Sequence, residues 1–342
     1  MKSVSILDIA RKTGLSRNTV AKALRFDPSV SYDTRMKTLR TAYDMNYPKL
    51  SEDALKEIGI LPERGEKNFL ILISKDGSEF WDRIVMGISD ELRKNHGYCQ
   101  LSFIAKEDEE QLVVPGNIAM DGLSGIICLY VFSNPYIEKI ISLEKPLIFL
   151  DTPVQRAGVS PVDAMVVDGV HSVYHLTMEL VRNNRKKIGF IGNIHYCQSI
   201  YERYEGFCRA MQEAGLPIEE KFCMTANVED NYYDPKKLCE RIEEFSGLPD
   251  AFVCANDLTA LGVYRYCQKH HLSIPDDIAL TGFDNIKESK IISPRISTAN
   301  IANYQLGRRL VQQMLWRLDN PDMPKELVHI SAQTVIRASS GK

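Results

Sequence analysis

The chain has 342 residues, 44% hydrophobic and 25% charged, with a net charge of −3. That is an ordinary globular composition, with length for two or three domains. Eight Cys, at positions 99, 128, 197, 208, 223, 239, 254 and 267, contain no CxxC pair. No zinc or redox motif is present, and reduced, mostly buried thiols in a cytoplasm are expected. The apolar stretch within MKSVSILDIA is too short and interrupted for a signal peptide, and no run approaches the roughly 20 residues that span a bilayer.

The charge is segregated. Residues 1–50 hold ten Lys and Arg against four Asp, a net +6, so the remainder carries −9. A small basic head on an acidic body suggests that the head meets a polyanion and the body does not.

In chain order, Ile6, Ile9 and Ala10 form one stripe of a first helix, and Gly14 can take the left-handed conformation that ends it. Ser16 can cap a second helix by accepting from the backbone N–H of Asn18 or Thr19. In that helix Val20, Ala23 and Leu24 face inward, while Arg17, Asn18, Ala21 and Lys22 face outward near its start. Ser31 marks a third capping site, followed by Met36, Leu39, Ala42 and Tyr43 at helical spacing. Three helices in under 50 residues, with a short turn between the first two, describe a helix-turn-helix.

A second helix that enters the major groove by its N-terminus offers its first turn to base edges. Arg17 can then bond a guanine edge in bidentate fashion, Asn18 can read adenine or bond a phosphate, and Lys22 can do either. Thr19, Arg35 and Lys37 are placed for phosphate contacts, which position without specifying. A solvated basic hairpin that binds nothing would show the same spacing; the charge segregation argues against it.

Asp8-Ile9-Ala10, Gly14, Ser16, Thr19-Val20, Val30-Ser31, Thr34-Arg35 and Asn46-Tyr47 together resemble the headpiece of the lactose-repressor (LacI) family of bacterial regulators, densely over some 45 residues. The resemblance implies base-reading positions at Arg17, Asn18 and Lys22. Ala21 stands where the family usually has Ser, which removes one polar contact.

In that family a short hinge helix follows, beginning Pro-Asn and carrying Ala-x-x-Leu, whose Leu wedges into the minor groove at the operator centre. Here the linker reads PKLSEDALKEIGILPERGEK. The Asn is replaced by Leu50 or displaced altogether, Glu52, Asp53 and Glu57 make the segment acidic, and Ala54 is followed at once by Leu55 and later by Ile58. Carboxylates beside phosphates are repelled, which argues against insertion. SEDALKEI still reads as a short Ser-capped helix. It is expected to pack on a partner subunit or to be disordered without DNA.

From Phe69 onward the runs FLILI, QLSFIA, SGIICLYV, PLIFLD, AMVVD, KIGFIG, AFVCAN and IALTGFD read as strands. Helical segments at 80–95, 135–143, 168–182, 199–215, 235–246, 257–271 and 303–318 separate most of them or follow the last. This alternation indicates parallel sheets built from βαβ units, and some 270 residues suggest two α/β lobes. Ligands of open α/β sheets sit beyond the carboxyl ends of the strands, here at Ser74-Lys75-Asp76, Asp151, Gly192-Asn193, Asn256-Asp257 and Asp284.

These segments, with ERYEGFCRAMQEAGL at 202–216 and TVIR at 334–337, resemble the family's effector domain, a fold shared with periplasmic sugar-binding proteins. The fold class is thus an N-terminal all-α helix-turn-helix headpiece plus an α/β two-lobed, periplasmic-binding-protein-like sensor. The expected divisions are a head at 1–48, a linker at 49–66 and a sensor at 67–338. One lobe is expected at about 67–163 and 292–322, the other at 164–291 and 323–338.

The resemblance carries effector contacts to Asp151, Arg203, Asn256, Asp257 and Asp284, with Phe80 and Trp81 at the cleft lip. Carboxylates and a guanidinium can bond vicinal hydroxyls, and a flat aromatic can stack on a sugar's C–H face. Plainer roles are open for each: Trp81 as core, Asp284 as a cap of NIKESKII, Arg203 in a structural ion pair, and Asn256-Asp257 as a helix cap. Where relatives often carry Gln after Thr298, this chain has Ala299, Asn300 and Ile301, so one polar effector contact is lost.

No G-x-x-x-x-G-K-[ST], G-x-S-x-G or H-E-x-x-H motif occurs, and Gly189-x-x-Gly192 is too little for a dinucleotide fingerprint. His171 and His175 are spaced i, i+4 but lack a visible third ligand, and His270-His271 suits a helix C-terminus. No enzyme activity, cofactor or metal is expected. The expected protein is a cytoplasmic, homodimeric regulator, a repressor by the family's common mode. It would bind a pseudo-palindromic double-stranded DNA operator under control of a small effector, a sugar or sugar derivative, and touch no membrane. Its first lobe would supply much of the dimer interface. The alternatives are a regulator responding to a non-sugar ligand such as a nucleobase, a solute-binding protein without DNA binding, and an α/β enzyme whose catalytic constellation is not visible.

Overall fold

The computed structural model describes residues 4–59, 67–74, 79–114, 120–154, 161–226 and 232–341. The chain divides into two compact units, Met1–Glu66 and Lys67–Lys342.

The first unit is helical: α1 (Ile6–Thr13), α2 (Arg17–Ala23), α3 (Tyr32–Asp44) and α4 (Glu52–Glu57). A capping box opens α1. The Ser5 backbone N–H donates to Asp8 Oδ2 at 2.9 Å, and the Asp8 N–H donates back to Ser5 Oγ. Gly14 ends α1 at φ +73°, in the left-handed region that glycine enters without a Cβ penalty. The Ser16 hydroxyl caps α2 by accepting the Thr19 N–H at 3.0 Å. Ser31 stands at the start of α3, yet its hydroxyl donates to the Thr34 hydroxyl and caps no backbone amide. Ile9, Ala10, Val20 and Ala42 are buried together at the centre of the three helices.

The second unit begins with β1 (Lys67–Ser74), α5 (Glu79–Lys94), β2 (Gly97–Ile104), α6 (Lys106–Glu110), β3 (Leu123–Leu129), α7 (Asn134–Ile141), β4 (Leu147–Leu150) and β5 (Asp163–Val167). The chain continues through α8 (Gly169–Arg182), β6 (Ile188–Ile191), α9 (Gln198–Glu213), α10 (Pro235–Glu243), β7 (Ala251–Cys254), α11 (Asp257–Lys269), β8 (Ala279–Thr281), α12 (Lys287–Ile291) and β9 (Thr298–Asn300). It closes with α13 (Asn303–Asp319), β10 (Leu327–Ile330) and β11 (Gln333–Val335).

Two sheets define two lobes. Lobe 1 holds a six-stranded sheet in the order β10-β5-β4-β3-β1-β2, in which every pairing is parallel. Lobe 2 holds the parallel sheet β6-β7-β8 and the antiparallel pair β9-β11. Helices on both faces bury the central strands completely, which is why Leu70, Ile71 and Leu72 run apolar without alternation.

Strand pairing corrects the expected lobe boundaries. β5 pairs with β4, so lobe 1 runs to about 167 rather than 163. β9 pairs with β11, and Ser297 and Asn300 bridge to Thr281 and Asp284, so 292–300 stays in lobe 2. β10 pairs with β5, so 323–330 belongs to lobe 1. A short apolar run at a crossing reads alike in either lobe; only the sheet edge that accepts its hydrogen bonds decides.

Two glycines set how closely α5 and α13 pack. A Cβ on Gly87 would lie 2.1 Å from the Tyr304 carbonyl oxygen, and one on Gly307 would lie 2.1 Å from that of Ile84. The helices therefore meet backbone to backbone, as only residues without a side chain allow.

Candidate functional site

The head presents Arg17 and Asn18, both exposed, on the first turn of α2. The capping bond fixes where that turn starts. Thr19 is partly buried, and its hydroxyl lies 2.8 Å from that of Ser16. Lys22 is drawn towards the segment after α2: its Nζ donates to Ser29 Oγ at 3.1 Å and stands 3.9 Å from Asp27. Lys37 is exposed on α3. Arg35 is not free for a phosphate. Its Nη2 meets Glu57 Oε1 at 3.0 Å, and its guanidinium lies 5.7 Å from the ring centres of both Phe26 and Tyr32.

In the body, three residues that follow strands share an unusual backbone conformation. Tyr130, Asp151 and Asp284 follow β3, β4 and β8, and all three are non-glycine residues at positive φ (+59°, +66° and +101°). Each such conformation costs of order 1 kcal/mol, and such strain clusters where side chains are aimed at a ligand.

Arg203, on α9, is buried at 6% exposure. Its Nη1 donates to the Ala255 carbonyl at 2.7 Å, and its guanidinium lies 3.8 Å above the Phe283 ring. Nη2 stops 3.8 Å from Asp284 Oδ1, short of a hydrogen bond, and Nε is buried without a partner. Burial pushes the Asp284 carboxyl up to about 7; Arg203 draws it down, and Asp257 adds to the rise. The carboxyl therefore titrates near neutrality.

A second cluster is aromatic. Phe80 and Trp81, at the start of α5, have ring centroids 4.9 Å apart, and Trp81 lies 5.4 Å from Tyr130. Tyr130 continues to Phe132 at 5.4 Å and to Tyr196 of lobe 2 at 5.8 Å, while Phe132 and Tyr196 are 5.0 Å apart. Five rings thus form a continuous shelf from one lobe to the other. Burial pushes the Tyr196 phenol up, so it stays protonated.

A family model described as a periplasmic binding protein-like domain matches residues 177–340. A curated relative from Mannheimia succiniciproducens, the HTH-type transcriptional repressor PurR, is 23% identical over 341 residues and 99% of both chains. The HTH-type transcriptional regulator RegA of Clostridium saccharobutylicum is 25% identical over 356 residues, again 99% of both chains. Among solved structures, a transcriptional regulator CelR–cellobiose complex superposes with a TM-score of 0.68 at 18% identity, over 98% of this chain and 99% of that one. The Lac repressor dimer bound to operator and an anti-inducer superposes over the full length of both chains, with a TM-score of 0.69 at 19% identity.

The chain is thus similar along its whole length to HTH-type transcriptional regulators, and its fold is that of the Lac repressor.

The effector residues implied by the resemblance divide into two groups. Phe80 and Trp81 join the aromatic shelf, and Arg203 and Asp284 form the incomplete pair. Asp151 does not present a free carboxylate: it accepts from the Ser199 hydroxyl, the Ser199 N–H at 3.1 Å and the Thr152 N–H at 2.8 Å, and so anchors the start of α9. Asp257 is fully buried, with Oδ1 accepting the Thr298 hydroxyl at 2.7 Å and Oδ2 the Ile286 N–H at 2.9 Å. Burial still pushes its carboxyl up to about 6. Asn256 caps α11 through the Thr259 N–H at 2.9 Å and points its amide nitrogen at the Tyr233 hydroxyl, 3.3 Å away. Asp284 does not cap α12, whose N-cap is Ile286. Trp81 packs partly buried within the aromatic shelf.

Sequence reasoning missed Tyr130, Phe132, Tyr196 and Tyr233. Tyr130 lies inside the run SGIICLYV, read as a strand to Val131; β3 stops at Leu129, so the residue just beyond the strand was taken as part of it. Tyr196 and Tyr233 carry no local signal. Lys75 and Asp76, taken as strand-end residues, lie outside the described residues. His171 pairs with Asp168 at 2.8 Å, and among the described residues no group of three or more His, Cys, Asp or Glu is arranged to hold a metal. No described helix is long and apolar enough to cross a membrane.

Proposed function

We propose that this protein is a cytoplasmic, sequence-specific DNA-binding transcriptional regulator, a repressor, whose head binds operator DNA and whose body binds a small effector between its lobes. The observation that carries the DNA half is the exposed pair Arg17 and Asn18 on the capped first turn of α2. A helix docked by that turn reads base edges in the major groove. We assign the protein no catalytic step.

The effector half rests on the incomplete Arg203–Asp284 pair and on the shelf of five aromatic rings that joins the two lobes. A ring-shaped ligand stacked on the shelf, with polar groups at one edge, would bond both residues at once. Sugars fit this description, and solved relatives were captured with cellobiose and with ribose. The breadth of the shelf favours a second reading, a flat heterocycle such as a nucleobase. A ligand held by both lobes stabilises the closed state and so couples binding to the head by differential affinity.

Homodimerisation is assigned to lobe 1. β2 is an edge strand, and Met86, Tyr98, Leu101 and Phe103 are exposed on it and on α5. An exposed apolar patch on a sheet edge is the kind of surface a second copy covers. The test is a gel shift on the protein's own promoter region, repeated across sugars, sugar phosphates and nucleobases. Retarded DNA released or tightened by one compound supports the reading. Failure to bind that DNA, with intact ligand binding, would leave a solute-binding protein instead.

A further inference from the structure

We infer that helix α4 is a resident fourth helix of the head, and that the head meets DNA without placing α4 in the minor groove. This rests on the DNA-binding reading above but departs from the hinge that the LacI resemblance implies.

Helix α4 buries apolar side chains within the head. Its Ala54 is 1% exposed and Ile58 is 8%, and both pack on Leu39 of α3, itself fully buried. Leu24, Phe26, Met36, Leu50 and Leu55 complete that cluster. The apolar residues a six-residue helix could offer as a wedge are thus already spent inside the head. The Ser51 hydroxyl caps the helix by accepting the Ala54 N–H at 3.2 Å, so its start is fixed without a partner.

Charge points the same way. Glu57 accepts from Arg35 Nη2 at 3.0 Å and from Nε at 3.3 Å, with both side chains mostly buried. Glu57 therefore occupies the guanidinium that would otherwise meet a phosphate. Undocking α4 would strand Arg35, expose Leu39 and carry Asp53 and Glu57 towards the DNA backbone, where carboxylates are repelled. A minor-groove wedge gains its energy from apolar contact with unstacked bases, and this helix would lose apolar contact to provide it.

Amide hydrogen exchange on the full chain without DNA tests the docking by itself. The amides of Leu55, Ile58 and Gly59, which bond Ser51, Ala54 and Lys56, should exchange about as slowly as those of α3. Free exchange of these amides, or protection appearing only on operator binding, would overturn the inference. The second arm uses operator DNA with 2,6-diaminopurine for adenine at the central base pairs, which adds an amino group to the minor groove. Affinity should change by less than about twofold, whereas a loss of about tenfold would place a wedge in that groove and overturn the inference. A chain that binds no operator at all would fail the functional reading, while the exchange experiment would still decide the place of α4.

Discussion

Arg203 and Asp284 face each other across 3.8 Å without a hydrogen bond. The pair is incomplete, and Asp284 has a carboxyl pushed up to about 7 by burial. Folding therefore holds its proton more tightly than the unfolded chain does, whose Asp titrates near 3.8. The folded state is favoured while that proton is bound, so this contribution is full below about pH 4, falls as pH rises, and is gone above about pH 7. Asp284→Asn should stabilise the body at pH 8 by up to about 4 kcal/mol and by almost nothing at pH 4. Denaturant melts at the two pH values decide it; an equal gain at both would mean that the carboxyl is not perturbed. An effector that donates hydroxyl protons to Asp284 should also bind more tightly at pH 8 than at pH 6.

Arg203→Ala should abolish the effector response and leave operator binding in place. Removing one partner from a desolvated polar cluster costs about 2–5 kcal/mol of ligand affinity. A gel shift titrated with effector reads both properties, and a wild-type response would show that the ligand lies elsewhere.

Asp151→Asn should behave differently from the cleft variants. Its carboxylate serves Ser199 and Thr152, not an open cleft. A weakened anchor for α9 should cost about 1–3 kcal/mol of stability, with effector affinity changed far less than by Arg203→Ala. Paired thermal melts and ligand titrations separate the two roles.

Arg17→Ala and Lys37→Ala should differ in kind. Loss of a bidentate base contact costs about 1–3 kcal/mol and relaxes preference at one base pair per half-site. Loss of a phosphate contact weakens all sequences alike and lowers the salt slope by about one per head. Selection from randomised half-sites at two salt concentrations distinguishes them. An unchanged preference in Arg17→Ala would mean that α2 docks in another orientation.

Phe103→Asp should dissociate the dimer. Phe103 is 56% exposed on β2, beside Met86 at 59% on α5. A charge buried at the centre of an apolar interface costs several kcal/mol unless it is paired. Sedimentation at micromolar concentration should show a monomer with a folded body; an unchanged dimer would place the interface on another face.

The head was legible because its signals are local. Gly14 and the Ser16 cap each act within one turn, and Val20 and Ala23 repeat at helical spacing. The alternation of strands and helices in the body was legible for the same reason, since its central strands are buried on both faces and read as continuous apolar runs. β9 and β11 were not legible, being three residues each, and β10 shows alternating exposure along one sheet edge. The site was legible in its residue types but not in their roles. Asp151 and Asp257 read as ligand carboxylates until their partners are known. Those partners, Ser199 and Thr298, lie 48 and 41 residues away and are supplied only by the folded chain. Helix α4 was legible as a helix, but its partner was not: it was expected on a second subunit or disordered, and it packs on α3 of its own head.

Gly87 and Gly307 press α5 against α13, and β10 closes the edge of the sheet that β1 begins. Lobe 1 is thus assembled from two distant parts of the body, with most of lobe 2 threaded between them and β11 following. During synthesis its first five strands leave the ribosome long before the helix and strand that cover them. Until residues 303–330 emerge, the apolar seats of Ile84 and Ile88 on α5 stand open, exposed to aggregation or to chaperones. Lobe 2 reaches β9 before that point, and only β11 and the final residues remain to be added. The order of maturation therefore runs against the order of translation: the lobe begun first is finished late, and a ribosome stalled near residue 300 would release a chain with a nearly complete second lobe and an unfinished first.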